Sequence, residues 1–203
     1  MLFALITVYY MGLRCPFILT GMSRSQKSVM IQRDKPSKKD WRHSMNDYDE
    51  LLKELRQQEE EIQFASFTND MALAVGMALL QEARKRSKPV AIDITRSGQQ
   101  LFHFAMAGTT VDNGEWIKRK NNVVNRFGHS SYCMGVSLQS IGQTIEEKYL
   151  IPSGDYAAHG GAFPLIIKDV GVVGTITVSG LPQQEDHELV VTTLRQFLAT
   201  GTD

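Results

Sequence analysis

Three short polar clusters, each beside glycine or a helix start, contain the side chains of this chain that could act on a ligand. They are His129-Ser130, His159-Gly160-Gly161 and Asp186-His187. Histidine changes charge near neutral pH and serves as a base or a ligand, while backbone N–H groups at glycine turns and helix starts bind anions. Together the clusters predict a pocket for a small molecule that carries a carboxylate or a phosphate.

A basic helix runs between Asp112 and Phe127 and could supply positive charge to that pocket. Trp116 and the aliphatic residues of this segment share one face, which leaves the basic residues for the outer faces of an amphipathic helix. We therefore expect Arg119 and Lys120 on an exposed surface, where they bind an anionic ligand or meet another subunit. Asp112 and Glu115 have the spacing of a capping box at the helix start.

Other arrangements of the same polar residues have weaker support. Ser130, His159 and Asp186 could form a hydrolase triad, but no nucleophile-elbow motif surrounds Ser130. His129, His159 and His187 with Asp186 lack helical or strand ligand spacing, so no metal site is predicted. Each residue also has a structural explanation, such as a histidine bonded to a turn carbonyl or an acid at a helix N-terminus. No catalytic residue is assigned.

Charge is distributed unevenly along the 203 residues, although the formal net charge is +0. Residues 1–44 contain eight Lys and Arg but only two acidic residues, which gives this segment a net charge of +6. Because the whole chain has a net charge of +0, the remaining residues carry a net charge of −6. A nucleic-acid binder needs a basic face to neutralise phosphates. The composition therefore argues against a nucleic-acid partner for the main domain.

The N-terminal segment gives no convincing membrane or secretion signal. Met1–Met11 is apolar, but Arg14 follows before the roughly 18 apolar residues that a membrane span needs, and no basic region precedes the run. We expect residues 1–44 to be a disordered extension from an overcalled start, and residues 45–203 to form the domain. A short anchor or targeting tail is the alternative. Two distant cysteines, Cys15 and Cys133, predict neither a disulfide nor a zinc site, which favours the cytoplasm.

The order of elements that must position these residues predicts an α/β sandwich around an antiparallel sheet. Two helices come first, over residues 47–63 and from Thr68 or Asn69 to Lys85, and the second is apolar nearly all round. A hairpin follows over residues 90–105, then the basic helix, a short apolar segment and a polar loop over residues 137–144. A short helix, a second hairpin over residues 163–179 and a final helix complete the layout. Strands that come in adjacent pairs favour antiparallel pairing.

Several motifs together resemble the HbpS-like, GlcG-type haem-degrading domain family, closest to its uncharacterised branch in bacteria and fungi. They are Pro89-Val-Ala-Ile-Asp-Ile94, Trp116-Ile-Lys-Arg-Lys120, His159-Gly-Gly161, Gly171-Val-Val-Gly-Thr-Ile-Thr-Val-Ser-Gly180 and Glu185-Asp-His187. The resemblance covers about residues 47–200 of this sequence. It implies a profilin-like three-layer α/β/α sandwich with a central antiparallel sheet, a homo-oligomer and, for some members, binding of haem or a related cofactor. The haem ligands of relatives have no obvious match here, so none is transferred.

The sequence therefore leaves three functions open. The first is a cytoplasmic, homo-oligomeric protein that binds haem or another anionic cofactor through Arg119, Lys120 and the three polar clusters. The second is an interaction module that uses no ligand. The third is an enzyme acting on a small anionic metabolite.

Overall fold

A computed structural model of the chain describes residues 38–201, with side chains from residue 47 onward. The chain from Ser44 onward forms one compact unit. The extension expected at residues 1–44, including Cys15, lies almost entirely outside the described residues. None of the helices that the structure describes has the length and apolar character needed to cross a bilayer.

The described chain alternates helices with paired strands. Over residues 38–201 the elements are α1 (Lys38–Glu61), α2 (Asn69–Lys85), β1 (Ala91–Arg96), β2 (Gln99–Ala105), α3 (Val111–Phe127), α4 (Ser131–Ser140), α5 (Ile145–Tyr149), β3 (Ala162–Ile167), β4 (Gly171–Ser179) and α6 (Gln183–Ala199). The four strands form one sheet in the order β2-β1-β4-β3, and every neighbouring pair is antiparallel. The two predicted hairpins thus join through β1 and β4.

The two faces of the sheet differ in polarity, as expected for strands with alternating side chains. The apolar face contains Ile92, Ile94, Ile176 and Val178, which are buried in the main core under α2 and α6. The opposite face contains polar residues such as Asp93 and is covered by α3. The predicted three-layer α/β/α sandwich is therefore confirmed.

The first hairpin contains a bulge that decides which side chains face each other. Its turn residues Ser97 and Gly98 have φ angles of +49° and +81°, the signature of a type I′ turn. The register then shifts between Ile94 and Thr95, so that Asp93 lies opposite His103. A bulge adds one residue to one strand, and without it Asp93 would face a different residue of β2.

The boundaries of α3 differ from the prediction at one end. The helix begins one residue before Asp112, because Thr110 is the N-cap residue and its backbone N–H donates to Asn113 Oδ1 at 2.8 Å. The capping box predicted from Asp112 and Glu115 is therefore wrong, and Asp112 instead accepts a hydrogen bond from the Trp116 indole. The helix ends at Phe127, as predicted, and Gly128 follows it in the left-handed conformation.

A helix replaces most of the segment predicted as an apolar stretch followed by a polar loop. In α4, Ser130 is the N-cap residue and its hydroxyl accepts from the Cys133 N–H at 3.2 Å. Most residues of α4 are buried, including Ser131 and Gly135. A helix buried on most sides has no polar stripe for a periodicity argument to detect, which is why the sequence pattern missed it.

Candidate functional site

A buried carboxylate, Asp93, organises the polar face of the sheet. Its two oxygens accept hydrogen bonds from Thr95 Oγ1 at 2.9 Å, Gln100 Nε2 at 2.5 Å and Asn121 Nδ2 at 3.3 Å. Asn121 lies on α3 and also accepts from the Thr177 hydroxyl. Burying a charge is costly unless hydrogen bonds compensate, so this network keeps Asp93 in one orientation.

His103 completes this arrangement and is the member that solvent reaches. Its Nδ1 lies 3.2 Å from Asp93 Oδ1, while its side chain is 41% exposed and that of Asp93 is 4% exposed. Because an ionised carboxylate only accepts hydrogen bonds, Nδ1 carries the proton in this contact. Nε2 is then the ring nitrogen that can accept a proton or bind a metal.

A groove of about 850 Å³ lies between the β1–β2 hairpin and the first half of α3. We call it the α3 groove; Asp93, Gln100, His103 and Asn121 line its polar side. Its apolar side consists of Ala91, Ala105, Val111 and Ile117, and its charged side chains on α3 are Glu115 and Lys118. An apolar cleft with a few convergent polar groups, in this range of volume, is the usual form of a small-molecule site.

A second acid–base pair on α3 is enclosed instead of open. Lys120 Nζ lies 2.9 Å from Asp186 Oδ2 and donates to Val178 O at 3.2 Å, and the two side chains are 4% and 2% exposed. Asp186 Oδ1 accepts the backbone N–H of Leu181 at 3.0 Å. Burial lowers the pKa of Lys120 and raises the pKa of Asp186, and each charge opposes the other shift. The pair joins α3 to the start of α6.

Lys120 therefore does not lie on the exposed basic surface, and that expectation is wrong. Lys120 lies on the inner face of α3, where the carboxylate of Asp186, 66 residues later in the chain, compensates its charge. Gly161 makes room for the ammonium group: a Cβ there would lie 2.6 Å from Lys120 Nζ and 2.4 Å from Val178 O. Its φ of +125° also favours glycine.

Arg119 and His159 lie against Trp116 beside the enclosed pair; Arg119 is half-buried and His159 is exposed, while the neighbouring Gly160 is buried. The Arg119 guanidinium lies 4.1 Å from the centre of the Trp116 ring, and the imidazole of His159 meets the same ring edge-on at 5.4 Å. The Gly160 N–H donates to a glutamine side chain at the start of α6. The pKa of His159 is lowered, mainly by partial burial and further by the positive charges of Lys120 and Arg119.

His129 and Ser130 contact α1, a partner that the sequence did not suggest. His129 Nδ1 lies 2.7 Å from Glu59 Oε2, and the Ser130 backbone N–H donates to Glu59 Oε1 at 2.7 Å. The hydrogen bond to Glu59 raises the pKa of His129, against a smaller effect of burial. This cluster joins α1 to the start of α4.

His187 is buried beside Asp186 but faces a different neighbour. Its Nε2 lies 2.8 Å from Gln58 Oε1, and its ring contacts Tyr132 with centres 5.0 Å apart. Nδ1 has no hydrogen-bond partner within the described residues. Burial lowers the pKa of His187 to about 4, so the ring is neutral at physiological pH.

The structure does not assemble the alternative triad or the four-residue metal site. Ser130 caps α4, His159 contacts Trp116, and Asp186 binds Lys120. The other two histidines bind α1 through Glu59 and Gln58. The backbone segments converge near the starts of β3 and α6, but their side chains serve separate contacts.

Sequence reasoning missed the residues of the α3 groove. Asp93 was placed on a strand, yet neither it nor His103 or Asn121 was a candidate. The available signal was a charged residue within a strand that is otherwise apolar, since buried acids need partners. Its partners could not be identified because they depend on the bulge and on the approach of α3.

Comparison with known proteins identifies relatives over most of the domain. The family model for the haem degrading protein HbpS-like group matches residues 67–195. An UPF0303 protein of Streptomyces coelicolor is 52% identical over 145 residues, which are 71% of this chain and 92% of the relative.

Solved structures of other proteins share the fold of this chain. The crystal structure of the Ybr137w protein superposes with a TM-score of 0.71 and 31% identity, covering 89% of this chain and 98% of that one. A PduOC haem complex superposes with a TM-score of 0.53 and 18% identity, covering 65% of this chain and 94% of the other. At this lower identity the similarity concerns the fold.

Proposed function

This chain belongs to the HbpS-like family, and we propose that it is a homo-oligomeric protein that binds haem in the α3 groove. His103 would bind the haem iron, and Asp93 would orient the imidazole. The observation that carries the proposal is the contact of 3.2 Å between His103 Nδ1 and the buried Asp93 carboxylate.

That contact has the form expected of a metal-binding histidine. Such histidines usually donate their second ring N–H to a carboxylate, which fixes the ring and makes the ligating nitrogen more basic. Asp93 is itself held by Thr95, Gln100 and Asn121. The histidine is thus supported before any ligand binds, and its exposed side lies in the groove.

The remaining groove residues suit an amphipathic planar cofactor. Ala91, Ala105 and Ile117 offer an apolar wall to the macrocycle, and Lys118 offers a charge for a propionate. Lys118 lies 2.8 Å from Glu115 at present, a surface ion pair of small energy that a ligand carboxylate could replace. Bound haem would supply iron-centred redox and ligand-binding chemistry, while this chain would contribute the ligand, the apolar wall and the second-sphere carboxylate.

The comparisons support the same ligand class. The family is described as haem degrading, and one structure with a similar fold is a complex with haem. Both statements concern relatives, so they favour haem as the first ligand to test. They do not support assigning a haem-degrading activity to this chain.

The surface of α2 and β2 supports the proposed self-association. Leu73 and Met77 lie on one side of α2 and are exposed, as is Phe104 on the edge strand β2. Exposed apolar groups that cluster usually mark an interface, and an edge strand also offers unpaired backbone groups to a partner. We infer that this patch contacts a second copy. A cytoplasmic location, favoured by the cysteine content, belongs to the same proposal.

A haem titration of the full-length protein tests the proposal. We expect a saturable Soret change with one haem per subunit, lost in His103→Ala and retained in His159→Ala, the variant of the surface histidine beside Trp116. Loss in His159→Ala with retention in His103→Ala would move the site to the surface cluster. Weak binding that does not saturate and that no histidine variant changes would reject the haem proposal.

A further inference from the structure

We propose that Glu59, His129 and Cys133 form a binding site for one divalent transition-metal ion of the zinc class. The site lies between the C-terminal half of α1 and the first turn of α4, and it shares no residue with the α3 groove. It is therefore independent of the proposed haem function.

The three side chains bring three different donor atoms together. A carboxylate oxygen of Glu59, a ring nitrogen of His129 and Cys133 Sγ all lie within 4.8 Å of one another. Ligand atoms of a tetrahedral zinc ion are separated by about 3.4–3.6 Å, given bond lengths of about 2.0–2.3 Å. The donors therefore need only small side-chain movements to surround one ion.

The backbone already holds two of the ligands in place. Glu59 Oε1 accepts the Ser130 N–H at 2.7 Å, which leaves Oε2 directed to His129. Ser130 Oγ accepts the Cys133 N–H at 3.2 Å and fixes the first turn of α4. Hydrogen bonds that orient ligand side chains typically contribute 10-fold to 100-fold in metal affinity.

Burial of this cluster is uneven, which gives an ion both a dry side and an open side. The His129 side chain is 49% exposed and the Glu59 side chain 8%, and Cys133 is buried against Leu55 and Tyr132. An ion can enter past His129 and keep a water molecule there. Three protein ligands and one solvent position are the arrangement of many zinc sites that bind a further ligand.

The donor set selects the kind of metal. Sulfur and imidazole nitrogen favour zinc, cobalt and copper, whereas magnesium and calcium prefer oxygen ligands alone. Binding replaces the thiol proton of Cys133, which passes to the buffer as the sulfur–metal bond forms. The proton shared by His129 and Glu59 also leaves their contact as the two side chains turn to the ion.

Arg56 opposes the ion and provides a way to tune the site. Its side chain hydrogen-bonds to Cys133, and its charge acts on His129 and Cys133. A bound cation has to displace this hydrogen bond and tolerate the nearby charge. Replacing Arg56 with a neutral residue should therefore strengthen metal binding.

Cobalt titration of the full-length, chelator-stripped protein tests the proposal. We expect one Co²⁺ per subunit, with the near-ultraviolet charge-transfer band of a thiolate–cobalt bond and visible bands of a tetrahedral site. The charge-transfer band should disappear in Cys133→Ser and persist in Cys15→Ser. Because Glu59→Gln and His129→Gln each remove a direct ligand, affinity should fall in both by more than the roughly 10-fold to 100-fold typical for loss of an orienting partner. It should remain unchanged in His159→Gln and rise in Arg56→Gln.

The result can also overturn the proposal. No thiolate–cobalt band at stoichiometric metal in the wild-type protein would reject it, and so would a band that survives in Cys133→Ser. His129→Gln keeps the experiment decisive if the buried cysteine variant misfolds, because His129 is half exposed. Unchanged cobalt affinity in a folded His129→Gln protein would likewise contradict the site.

Discussion

Helix α3 presents two neighbouring residues to two acids, and the two contacts differ in what surrounds them. Lys120 binds Asp186 where both side chains are enclosed, and its ammonium group also donates to a strand carbonyl. Asn121 binds Asp93, and Asp93 also contacts His103, which lies at the open wall of the α3 groove. The helix thus contributes to an enclosed pair, Lys120–Asp186, and to a groove pair, Asp93–His103.

The difference in burial indicates that the enclosed pair stabilises the fold and that the groove pair is available to a ligand. In the enclosed pair, both oxygens of the acid and the ammonium group of the base bond to other groups of the protein, so a ligand would have to break these contacts to reach them. In the groove pair, the acid is enclosed but the histidine keeps one ring nitrogen and part of its surface free for another molecule. The exposure of a buried acid's partner is therefore a better guide to a binding site than the presence of the charged residue itself.

Breaking the enclosed pair should have the largest effect on stability. Lys120→Met leaves Asp186 buried without a counter-charge, and removing one partner of a buried pair typically costs about 3–5 kcal/mol. Urea denaturation followed by circular dichroism would measure the loss. Lys118→Met, which alters an exposed lysine of the same helix, should stay within about 0.5 kcal/mol. A loss below about 1 kcal/mol for Lys120→Met would mean that the pair is not structural.

A second stability prediction concerns histidine and pH. Burial lowers the pKa of His187 to about 4 from an ordinary value of 6.5, so the unfolded chain binds its proton more readily than the folded chain. The free energy of unfolding should therefore be highest above pH 6.5 and fall by about 3 kcal/mol as the pH decreases towards 4.

His187→Gln should flatten this part of the pH profile, measured by urea denaturation at several pH values in the presence of chelator. His159→Gln provides the exposed comparison and should leave most of the slope unchanged. An equally steep profile in His187→Gln would show that other groups cause the acid sensitivity.

The sequence predicted the enclosed layers better than the polar sites. Alternating β-branched residues and glycine turns were sufficient for the two hairpins, and together with apolar helix faces they predicted the sandwich. Lys120 was misjudged because its partner lies 66 residues away and helical periodicity places a lysine on the solvent side. His103 was missed because a bulge brings it opposite Asp93, and a bulge of one residue leaves no local pattern in the sequence.

Weakening the groove pair should affect ligand binding more than folding. Asp93→Asn removes the negative charge beside His103 but keeps an oxygen that accepts its N–H, and loss of such an orienting carboxylate typically lowers metal-ligand affinity about 10-fold to 100-fold. Haem titration would measure the change. Asp112→Asn, at an exposed acid of α3, is the matched control. Equal haem affinity in Asp93→Asn and wild type would remove the acid from the proposed site.

The smallest effect on folding should come from the exposed apolar patch. Leu73→Glu places a charge in the proposed subunit contact and should shift the protein towards monomers in light scattering, while the subunit itself loses about 0.5 kcal/mol or less. Val170→Glu changes an exposed apolar residue of the β3–β4 turn and should leave assembly unchanged. Assembly that is insensitive to Leu73→Glu would place the interface elsewhere.

The most direct test of the division between the two pairs is haem binding by a variant that lacks the enclosed pair. Lys120→Met combined with Asp186→Leu replaces both charges with apolar groups, a change that is often close to neutral for stability. We predict that this folded double variant binds haem as the wild type does, whereas His103→Ala does not bind it. Loss of binding in the double variant, with retention in His103→Ala, would contradict the assignment of function to the groove and of structure to the enclosed pair.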